Sequence, residues 1–430
     1  MLKKILKRVL IGLGVIVLLY GIGRLSIVTY DSYVFVDRQP YMVMQTNNSI
    51  TLKWQTPKVE IGKVAYGDSP TNLNNVLIEE NAVDKHLLKI SKLKECTKYY
   101  YSVSSNSLDI DNKNRSFSTL CQSSQLVRIW AIGDSGKRGD NQLKVYQQML
   151  NYIHGDLSQL NMWLLLGDNA YKSGTQKQYN KNLFEPYIEL VKNFTPWAVI
   201  GNHDSRRFAF YNIFDFPTQA ESGGVKSGSQ KFYAIDNGPL HLVMLDSETE
   251  SLDVDGEMAK WLRKDLKSNQ KPWVIVAFHT PPYTDGGHKS DDDSNSGGRM
   301  YDVRHNFVPI FDEFGVDLVL SGHSHGYERS KLLVNHLGKS DTLSAKNILQ
   351  DRKTDYNKSL SIKKNSGTIY LISGSASKLD RASYKHPAMP FSFEKMGSLL
   401  IEITPTTLRS KFLNIDGIIA DEFIIKKEKK

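Results

Sequence analysis

Five short polar motifs carry residues of the kinds that bind metal ions, and each follows a run of apolar residues. They are Gly133-Asp134-Ser135-Gly136, Gly167-Asp168-Asn169-Ala170-Tyr171, Gly201-Asn202-His203-Asp204, Val276-Ala277-Phe278-His279 and Gly322-His323-Ser324-His325. Together they supply carboxylate, phenolate, amide and imidazole groups. This mixture of oxygen and nitrogen donors suits iron, manganese or zinc, and not calcium or a thiolate-bound metal. The motifs therefore predict a site for two metal ions.

Apolar runs rich in Val, Ile and Leu precede the motifs and predict the strands that position them. These runs cover residues 127–132, 162–166, 198–200, 241–245, 273–278 and 316–320. Continuous apolar runs are typical of strands buried on both faces. Residues 142–154 and 176–192 have helical content. We therefore expect a layered α/β structure in which the metal-binding side chains leave the carboxyl ends of strands and meet in one crevice.

The residue types also indicate a reaction. Asp168 lies between the two groups of ligands in the sequence, so it is the candidate to bridge two metal ions. A hydroxide on the metals would attack phosphorus in line, while the metals neutralise charge on the phosphoryl oxygens. His203 precedes Asp204 directly, and an imidazole held by a carboxylate can protonate a leaving oxygen. We therefore expect His203 to act as the general acid with Asp204 beside it.

Each motif by itself also has a structural explanation. A single Gly-Asp-x-Gly sequence is a common turn, Gly-Asn-His-Asp fits a strand-to-helix turn, and Gly-His-x-His fits a surface loop. Five such motifs in a fixed order, each at the end of a buried strand, favour the metal site over these separate explanations.

The five motifs resemble those of the purple acid phosphatases, within the calcineurin-like metallophosphoesterase superfamily. The resemblance implies an α/β metallophosphoesterase sandwich with two mixed β-sheets flanked by helices. It also implies a dinuclear acid phosphatase that hydrolyses phosphomonoesters. A ferric ion would be held by Asp134, Asp168, Tyr171 and His325, and a divalent iron, zinc or manganese ion by Asp168, Asn202, His279 and His323. Tyr171 is the discriminating ligand, because most other members of the superfamily lack a tyrosine there.

The resemblance further implies contacts to a small phosphorylated substrate. His203 matches the general acid of the family, and His288 resembles a substrate-contacting histidine. Asn202 and Arg206 are the other candidates to contact the phosphate. Arg206 and its neighbour Arg207 are explained equally well as solvated surface residues.

The pattern of short strands and turns in residues 36–121 predicts a separate all-β domain, which precedes a catalytic domain at residues 125–430. Its seven short strands are expected at 41–45, 49–55, 63–66, 76–79, 87–90, 99–103 and 115–119. Within 50–54, alternation places Ile50, Leu52 and Trp54 on one face. The number and spacing of strands suit a β-sandwich of the fibronectin type III kind, which the resembling family often places before its catalytic domain.

The chain has two cysteines, Cys96 and Cys121, which flank the last two predicted strands of this domain. An antiparallel hairpin that turns near Leu108-Asp109 would place them opposite one another. A disulfide there would indicate an oxidising compartment. The alternative, two reduced cysteines that only pack, stays open.

Residues 1–30 predict export. A basic start is followed by an apolar run from residue 9 to 23, then Arg24 and a further apolar stretch. An uncleaved membrane anchor is favoured over a cleaved signal peptide, and a soluble helix is the third option. The protein would then act outside the cytoplasm, periplasmic or extracellular, and would be secreted if the segment is cleaved. The net charge of +9 lies largely in the two termini, so no nucleic-acid partner is indicated.

Two other functions stay open at this stage. An exported phosphodiesterase that acts on nucleotides or phospholipid head groups would use the same ligands. A surface binding protein with an inactive site would be expected to lack ligands, and all of them are present. Residues 285–299, rich in Gly, Ser and Asp, form either a lid over the site or a solvated loop.

Overall fold

A computed structural model describes residues 2–360 and 364–428 of the chain. It begins with a helix, α1 (Leu2–Tyr33). In the described part of the chain, no helix combines the length and apolar character needed to cross a membrane. The membrane segment predicted at residues 1–30 is therefore not found, and several of its side chains lie outside those described.

Seven strands follow α1, as the sequence predicts. They are β1 (Arg38–Val43), β2 (Ile50–Glu60), β3 (Lys63–Gly67), β4 (Asn75–Ile78), β5 (Val83–Ile90), β6 (Lys98–Ser104) and β7 (Ser116–Ser118). One sheet has the order β1-β2-β5 and the other β4-β3-β6-β7. Ile50, Leu52 and Trp54 are buried in one shared core, because alternate side chains of a strand point to the same face. The strands match the predicted sandwich, and the fibronectin type III kinship stays a prediction.

A disulfide bond joins Cys96 to Cys121, whose Cα atoms are 4.3 Å apart. Strands β6 and β7 pair antiparallel with Lys98 opposite Ser118, so the cysteines meet just beyond the paired ends. The predicted bond is confirmed, and the alternative of two reduced cysteines is wrong. The backbone N–H of Cys121 also donates to Asn237 Oδ1 at 3.0 Å, which ties the bond to the following part of the chain.

Replacing both cysteines by serine should lower the free energy of unfolding by about 3 kcal/mol, because the unfolded chain gains the freedom that a loop of this size removes. Chemical denaturation of the wild-type protein and the double variant, followed by tryptophan fluorescence, measures the difference. Reductant should destabilise the wild-type protein and leave the variant unchanged. Equal stability of the two proteins would contradict the prediction.

Two seven-stranded mixed sheets make up the rest of the chain. The first has the order β10-β9-β8-β21-β22-β23-β18 and the second β11-β12-β13-β14-β19-β15-β20, with β16 and β17 paired separately. Their strands are β8 (Val127–Ile132), β9 (Met162–Leu165), β10 (Pro196–Ala198), β11 (Tyr233–Asn237), β12 (Leu240–Met244), β13 (Trp273–Ala277), β14 (Leu318–Ser321), β15 (Tyr327–Arg329), β16 (Leu332–Leu333), β17 (Ile348–Gln350), β18 (Asp355–Ser359), β19 (Ile369–Ser373), β20 (Phe391–Phe393), β21 (Gly397–Ile403), β22 (Thr407–Asn414) and β23 (Ile419–Glu428).

Helices flank the two sheets. They are α2 (Asp140–Tyr152), α3 (Gln176–Tyr179), α4 (Ile188–Val191), α5 (Ala209–Ile213), α6 (Glu257–Ser268), α7 (Arg299–Asp302) and α8 (Val308–Phe314). Short 3₁₀ turns occur at Leu157–Gln159, Asp204–Arg206, Asn295–Gly298, Ser340–Thr342 and Ala345–Asn347, and π turns at Asn180–Phe184 and Val303–Phe307. Residues 176–192, expected to be helical, therefore form short helical pieces and not one helix.

Alternate residues of the central strands pack into two different cores. Ile275 and Ala277 join the core that lies between the two sheets. Val274 and Val276 join a second core with the apolar faces of α6 and α8. Because both faces of β13 are covered, its sequence is apolar throughout, as the run at 273–278 predicts. The predicted α/β sandwich of two mixed sheets is confirmed.

Two late strands differ from expectation. The strand-like runs at residues 368–373 and 397–403 predict two strands that complete the second sheet. Ile369–Ser373 does so beside β14, but Gly397–Ile403 pairs antiparallel with β8 in the first sheet. An apolar run identifies a buried strand, whereas its choice of sheet depends on long-range pairing that the run does not encode.

Hydrogen bonds and an ion pair connect the N-terminal sandwich to the α/β part of the chain. The Tyr41 hydroxyl donates to the Ile213 carbonyl at 2.8 Å, and the Tyr101 hydroxyl donates to the Lys192 carbonyl at 3.0 Å. An ion pair of 2.9 Å joins Lys53 to Asp215. The sandwich thus packs against the segments that precede and follow β10, whose end carries Asn202 and His203.

Candidate metal centre

All seven predicted ligands lie where strands of the two sheets end at one crevice. Asp134 follows β8, Asp168 follows β9 and Asn202 follows β10 of the first sheet. The histidines come from the second sheet, with His279 after β13 and His323 after β14. Because parallel strands end at the same edge of a sheet, side chains far apart in sequence meet there. The predicted convergence on one crevice is confirmed.

One group of side chains gathers around Asp134. The Tyr171 hydroxyl donates to Asp134 Oδ1 at 3.0 Å and lies 3.2 Å from His325 Nε2. His325 Nε2 is in turn 3.3 Å from Asp134 Oδ1. These three side chains are the ones that the resemblance assigns to the ferric ion together with Asp168.

A second group gathers around Asn202. Its Oδ1 lies 3.2 Å from His279 Nε2 and 3.0 Å from His323 Nδ1. Asp168 Oδ1 is 3.6 Å from His279 Nε2, and ligand atoms of Asp134, Asp168 and His279 all lie within 4.8 Å of one another. Asp168 therefore stands between the two groups, the position that a bridging carboxylate requires.

The other nitrogen of each histidine is held by a separate partner, which fixes the nitrogen that faces the crevice. His279 Nδ1 donates to the Leu166 carbonyl at 2.8 Å, and His323 Nε2 lies 2.7 Å from Ser296 Oγ. His325 Nδ1 is 2.7 Å from Asp380 Oδ2. Metal-binding histidines are usually oriented by such outer partners. His279 Nε2, His323 Nδ1 and His325 Nε2 therefore remain for metal ions.

The electrostatics of the crevice favour bound cations. Burial lowers the pKa of His279, but the charges of Asp168 and Asp134 outweigh it and raise that pKa to about 9. Burial and the neighbouring imidazoles hold the pKa of His323 well below its usual range, so this ring is neutral and offers a lone pair. The carboxylates attract positive charge and the donor set is of mixed oxygen and nitrogen type, so the residues fit two metal ions.

The backbone of the motifs adopts conformations that non-glycine residues rarely take. Asp134 and Asp168 have φ of 53° and His323 has φ of 69°, in the left-handed region that costs about 1 kcal/mol or more per residue. At Gly201 a Cβ atom would meet the Asp168 backbone nitrogen at 2.1 Å. Only glycine allows this approach. Backbone strain of this kind is concentrated at functional sites.

His203 lies at the site, but its predicted support differs. Its Nε2 is 3.8 Å from Asp168 Oδ2, and its Nδ1 donates to the Lys172 carbonyl at 2.7 Å. Asp204 is fully buried and accepts hydrogen bonds from the backbone of Asn169, Ala170 and Gly201 and from the Tyr179 hydroxyl. The expectation that Asp204 holds the His203 ring is wrong, because these donors already occupy its carboxylate. Asp204 instead anchors the turn that carries Asp168.

Loop 285–299 covers the Asn202 side of the crevice. The ring of His288 stacks on His323 with centroids 3.9 Å apart, and Ser296 of the same loop contacts His323 as described. The structure thus brings His288 to the site, as the sequence predicts. Arg206 is exposed and donates to the Lys172 carbonyl at 3.1 Å, next to His203. Arg207 donates to the Arg206 carbonyl at 2.7 Å.

Three further residues at the site were missed in the sequence: Ser296, Lys378 and Asp380. Asp380 and Lys378 come from the segment after β19, which enters the crevice beside His325. The Gly374-Ser375-Ala376-Ser377 turn directly after a buried strand resembles the other ligand-bearing turns and could have indicated this segment. Ser296 lies in a loop whose composition gives no such signal.

Residues 127–327 match the family model of the calcineurin-like phosphoesterases, and this range includes all seven candidate ligands. The part of the chain that carries the site is therefore a calcineurin-like phosphoesterase domain, which places it in a class of hydrolases.

Curated relatives define the class of phosphoesterase more closely, because the chain has homologues among the purple acid phosphatases. Purple acid phosphatase 15 of Arabidopsis thaliana is 25% identical over 348 residues, 67% of this chain and 63% of that protein. Purple acid phosphatase 22 of the same plant is 30% identical over 264 residues, 58% of this chain and 55% of that protein. The chain thus spans less than two thirds of the length of these two relatives.

A solved structure shares the fold. Purple acid phosphatase PPD1 from yellow lupin (Lupinus luteus) seeds superposes with a TM-score of 0.70 at 17% identity, covering 92% of this chain and 76% of that chain. The family model and the curated relatives confirm the resemblance seen in the five motifs, and the solved structure shows the shared fold.

Changing Asp380 to Asn should weaken metal binding at the His325 side by roughly 10- to 100-fold, because the carboxylate that orients the ring and increases its basicity is lost. Metal content after dialysis against graded chelator measures this change. Asp416→Asn, at an exposed carboxylate paired with Lys395, is the matched control and should retain metal like the wild-type protein. Equal retention by both variants would show that Asp380 does not support His325.

Proposed function

We propose that this protein is a dinuclear metal-dependent acid phosphatase that hydrolyses phosphomonoesters. The observation that carries the proposal is the meeting of Tyr171, Asp134 and His325 on one side of Asp168 with Asn202, His279 and His323 on the other. A tyrosine within the ligand set distinguishes the purple acid phosphatases from most of the superfamily, and the chain has homologues of that name.

The two groups of side chains would hold different ions. Asp134, Asp168, Tyr171 and His325 would hold Fe(III), and Asp168, Asn202, His279 and His323 a divalent iron, zinc or manganese ion. When bound, such ions lower the pKa of a water nucleophile and offset negative charge on the phosphoryl group. The hydrogen bonds that hold each imidazole keep the ligand nitrogens aimed into the crevice, so the site is organised before substrate arrives.

His203 would deliver the proton to the leaving oxygen. Its Nδ1 hydrogen is held by the Lys172 carbonyl, so Nε2 is the atom that gives up a proton in the crevice. Burial lowers the pKa of His203 while Asp168 opposes this effect. Asn202, His288 and Arg206 would contact phosphate oxygens at the rim. We expect an acid pH optimum, because His203 must carry a proton to act as the acid.

Export and domain organisation belong to the same proposal. The bond between Cys96 and Cys121 supports an oxidising compartment outside the cytoplasm, because such bonds are rare in reducing ones. The N-terminal sandwich at residues 36–121, of the fibronectin type III kind, would then serve to position the catalytic domain at 125–430. Its hydroxyl donors Tyr41 and Tyr101 contact that domain on both sides of β10.

The Asp168→Ala variant should lose all measurable turnover and most bound metal, because the residue between the two groups is removed. We would load the full chain with iron and zinc and compare nitrophenyl phosphate with bis(nitrophenyl) phosphate. Asp416→Ala, at an exposed carboxylate, is the control and should keep full activity. Faster monoester turnover that vanishes in the Asp168 variant supports the proposal. Preference for the diester would favour the phosphodiesterase, and turnover retained without Asp168 would refute the assignment.

Changing Tyr171 to Phe should remove the visible absorption band of the iron-loaded protein, because a phenolate-to-iron transition needs the hydroxyl. The visible absorption spectrum tests this, with circular dichroism to show that the fold persists. Tyr179→Phe is the control, since that buried hydroxyl contacts Asp204 and none of the ligands. A band that survives in the Tyr171 variant would exclude this residue as an iron ligand.

A further inference from the structure

Lys378 brings an ammonium group to the ligands on the Asp134 side of the crevice. Its Nζ lies 4.6 Å from the centroid of the Tyr171 ring and 3.3 Å from His325 Nε2. The side chain is half-buried and comes from the segment after β19. Neither the sequence motifs nor the predicted reaction assigns it a role.

The surroundings of Lys378 differ from those of other lysines that lie close to the site or to a domain contact. Lys289 is 2.5 Å from an Asp285 oxygen, and Lys192 is 2.8 Å from a Glu189 oxygen. Throughout residues 2–360 and 364–428, no carboxylate oxygen lies within 4.0 Å of the Lys378 ammonium. The charge of Lys378 acts on Asp380 and on His325. With metal ions bound beside it, an anion in the crevice would offset the repulsion between these positive charges.

Lys378 and His203 both contact Tyr171. The centroid of the His203 ring is 4.5 Å from that of the Tyr171 ring. A phosphoryl group bound between the two groups of ligands would therefore lie close to the Lys378 ammonium. Both this ammonium and the ring of His203, the proposed general acid, lie beside Tyr171. Lysine binds phosphate oxygens as a compact point charge with three donors.

We infer that Lys378 binds a non-bridging phosphate oxygen and makes the site selective for doubly charged phosphomonoesters over singly charged diesters. The inference rests on the proposed phosphatase function and assigns a residue that selects its substrate. Near pH 7 a monoester carries close to two negative charges, whereas a diester carries one and has an ester group in place of one charged oxygen. An added positive charge therefore stabilises the bound monoester more than the bound diester.

The test compares the full chain, loaded with iron and zinc, with its Lys378→Met and Lys378→Arg variants at pH 7. The Met variant should lose roughly 10- to 100-fold in kcat/KM for nitrophenyl phosphate, as expected for one lost charge-assisted hydrogen bond. Its kcat/KM for bis(nitrophenyl) phosphate should change by less than about threefold, because the diester carries one negative charge and depends less on the ammonium group. The Arg variant should restore most of the preference for the monoester, because it restores the charge.

The matched control is Lys98→Met. Lys98 also lies over a tyrosine, with Nζ 5.2 Å from the Tyr100 ring centroid, but in the N-terminal sandwich and exposed. This variant should behave like the wild-type protein toward both esters. Metal content must stay equal in all variants, since a residue that only supports His325 or Tyr171 would change it.

A binding measurement separates this inference from the proposed function. By calorimetry, metal-loaded Lys378→Met should bind inorganic phosphate roughly 10-fold more weakly than the wild-type protein, with dimethyl phosphate bound equally by both. If the wild-type protein hydrolyses neither ester, the proposed function fails while the phosphate measurement still decides the role of Lys378. Equal losses for both esters, loss of metal, or unchanged phosphate affinity would overturn the inference.

Discussion

Two carboxylates, Asp134 and Asp168, lie buried close together at the end of two neighbouring strands, and the rest of the site depends on this arrangement. Like charges repel, and burial removes the water that would screen them. Positive charge close by must balance them. The carboxylates raise the pKa of His279 and that of His325 to about 9, and bound cations would add to this compensation. The two aspartates also adopt left-handed backbone conformations, so local strain adds to their electrostatic cost. The fold must supply the energy that holds both in place.

That energy comes from the sheets behind the crevice. Strands β8, β9, β13 and β14 are buried on both faces, and their side chains fill the cores between the sheets and under the helices. A rigid strand end fixes the position of the residue that follows it. Asp204 completes the support, because its buried carboxylate collects three backbone N–H groups of the turns around Asp168. Asp204, which the sequence predicts to support the general acid, thus holds the backbone turns of the site in place.

A second layer of contacts orients the ligands without touching a metal. The Leu166 carbonyl, Ser296 and Asp380 each hold the outer nitrogen of one histidine. These partners come from the residue that follows β9, from loop 285–299 and from the segment after β19, so the two sheets and one loop must all be folded before every ring is aligned. The loop and the late segment also bring His288 and Lys378 to the rim, where a phosphate would enter.

The sequence by itself determined most strands and identified the candidate ligands, because local apolar runs and short motifs encode them. It also favoured the disulfide over two reduced cysteines. Strand β8 and the seven strands of the sandwich follow from apolar runs and alternation, and the role of Tyr171 is implied by the resemblance of its motif to that of the purple acid phosphatases. Only the tertiary structure decided three other features. They are the hydrogen-bond partners of Asp204, the sheet that Gly397–Ile403 joins, and the position of Asp380 and Lys378 beside His325. Each depends on segments far apart in sequence, and no local pattern records which of them pack together.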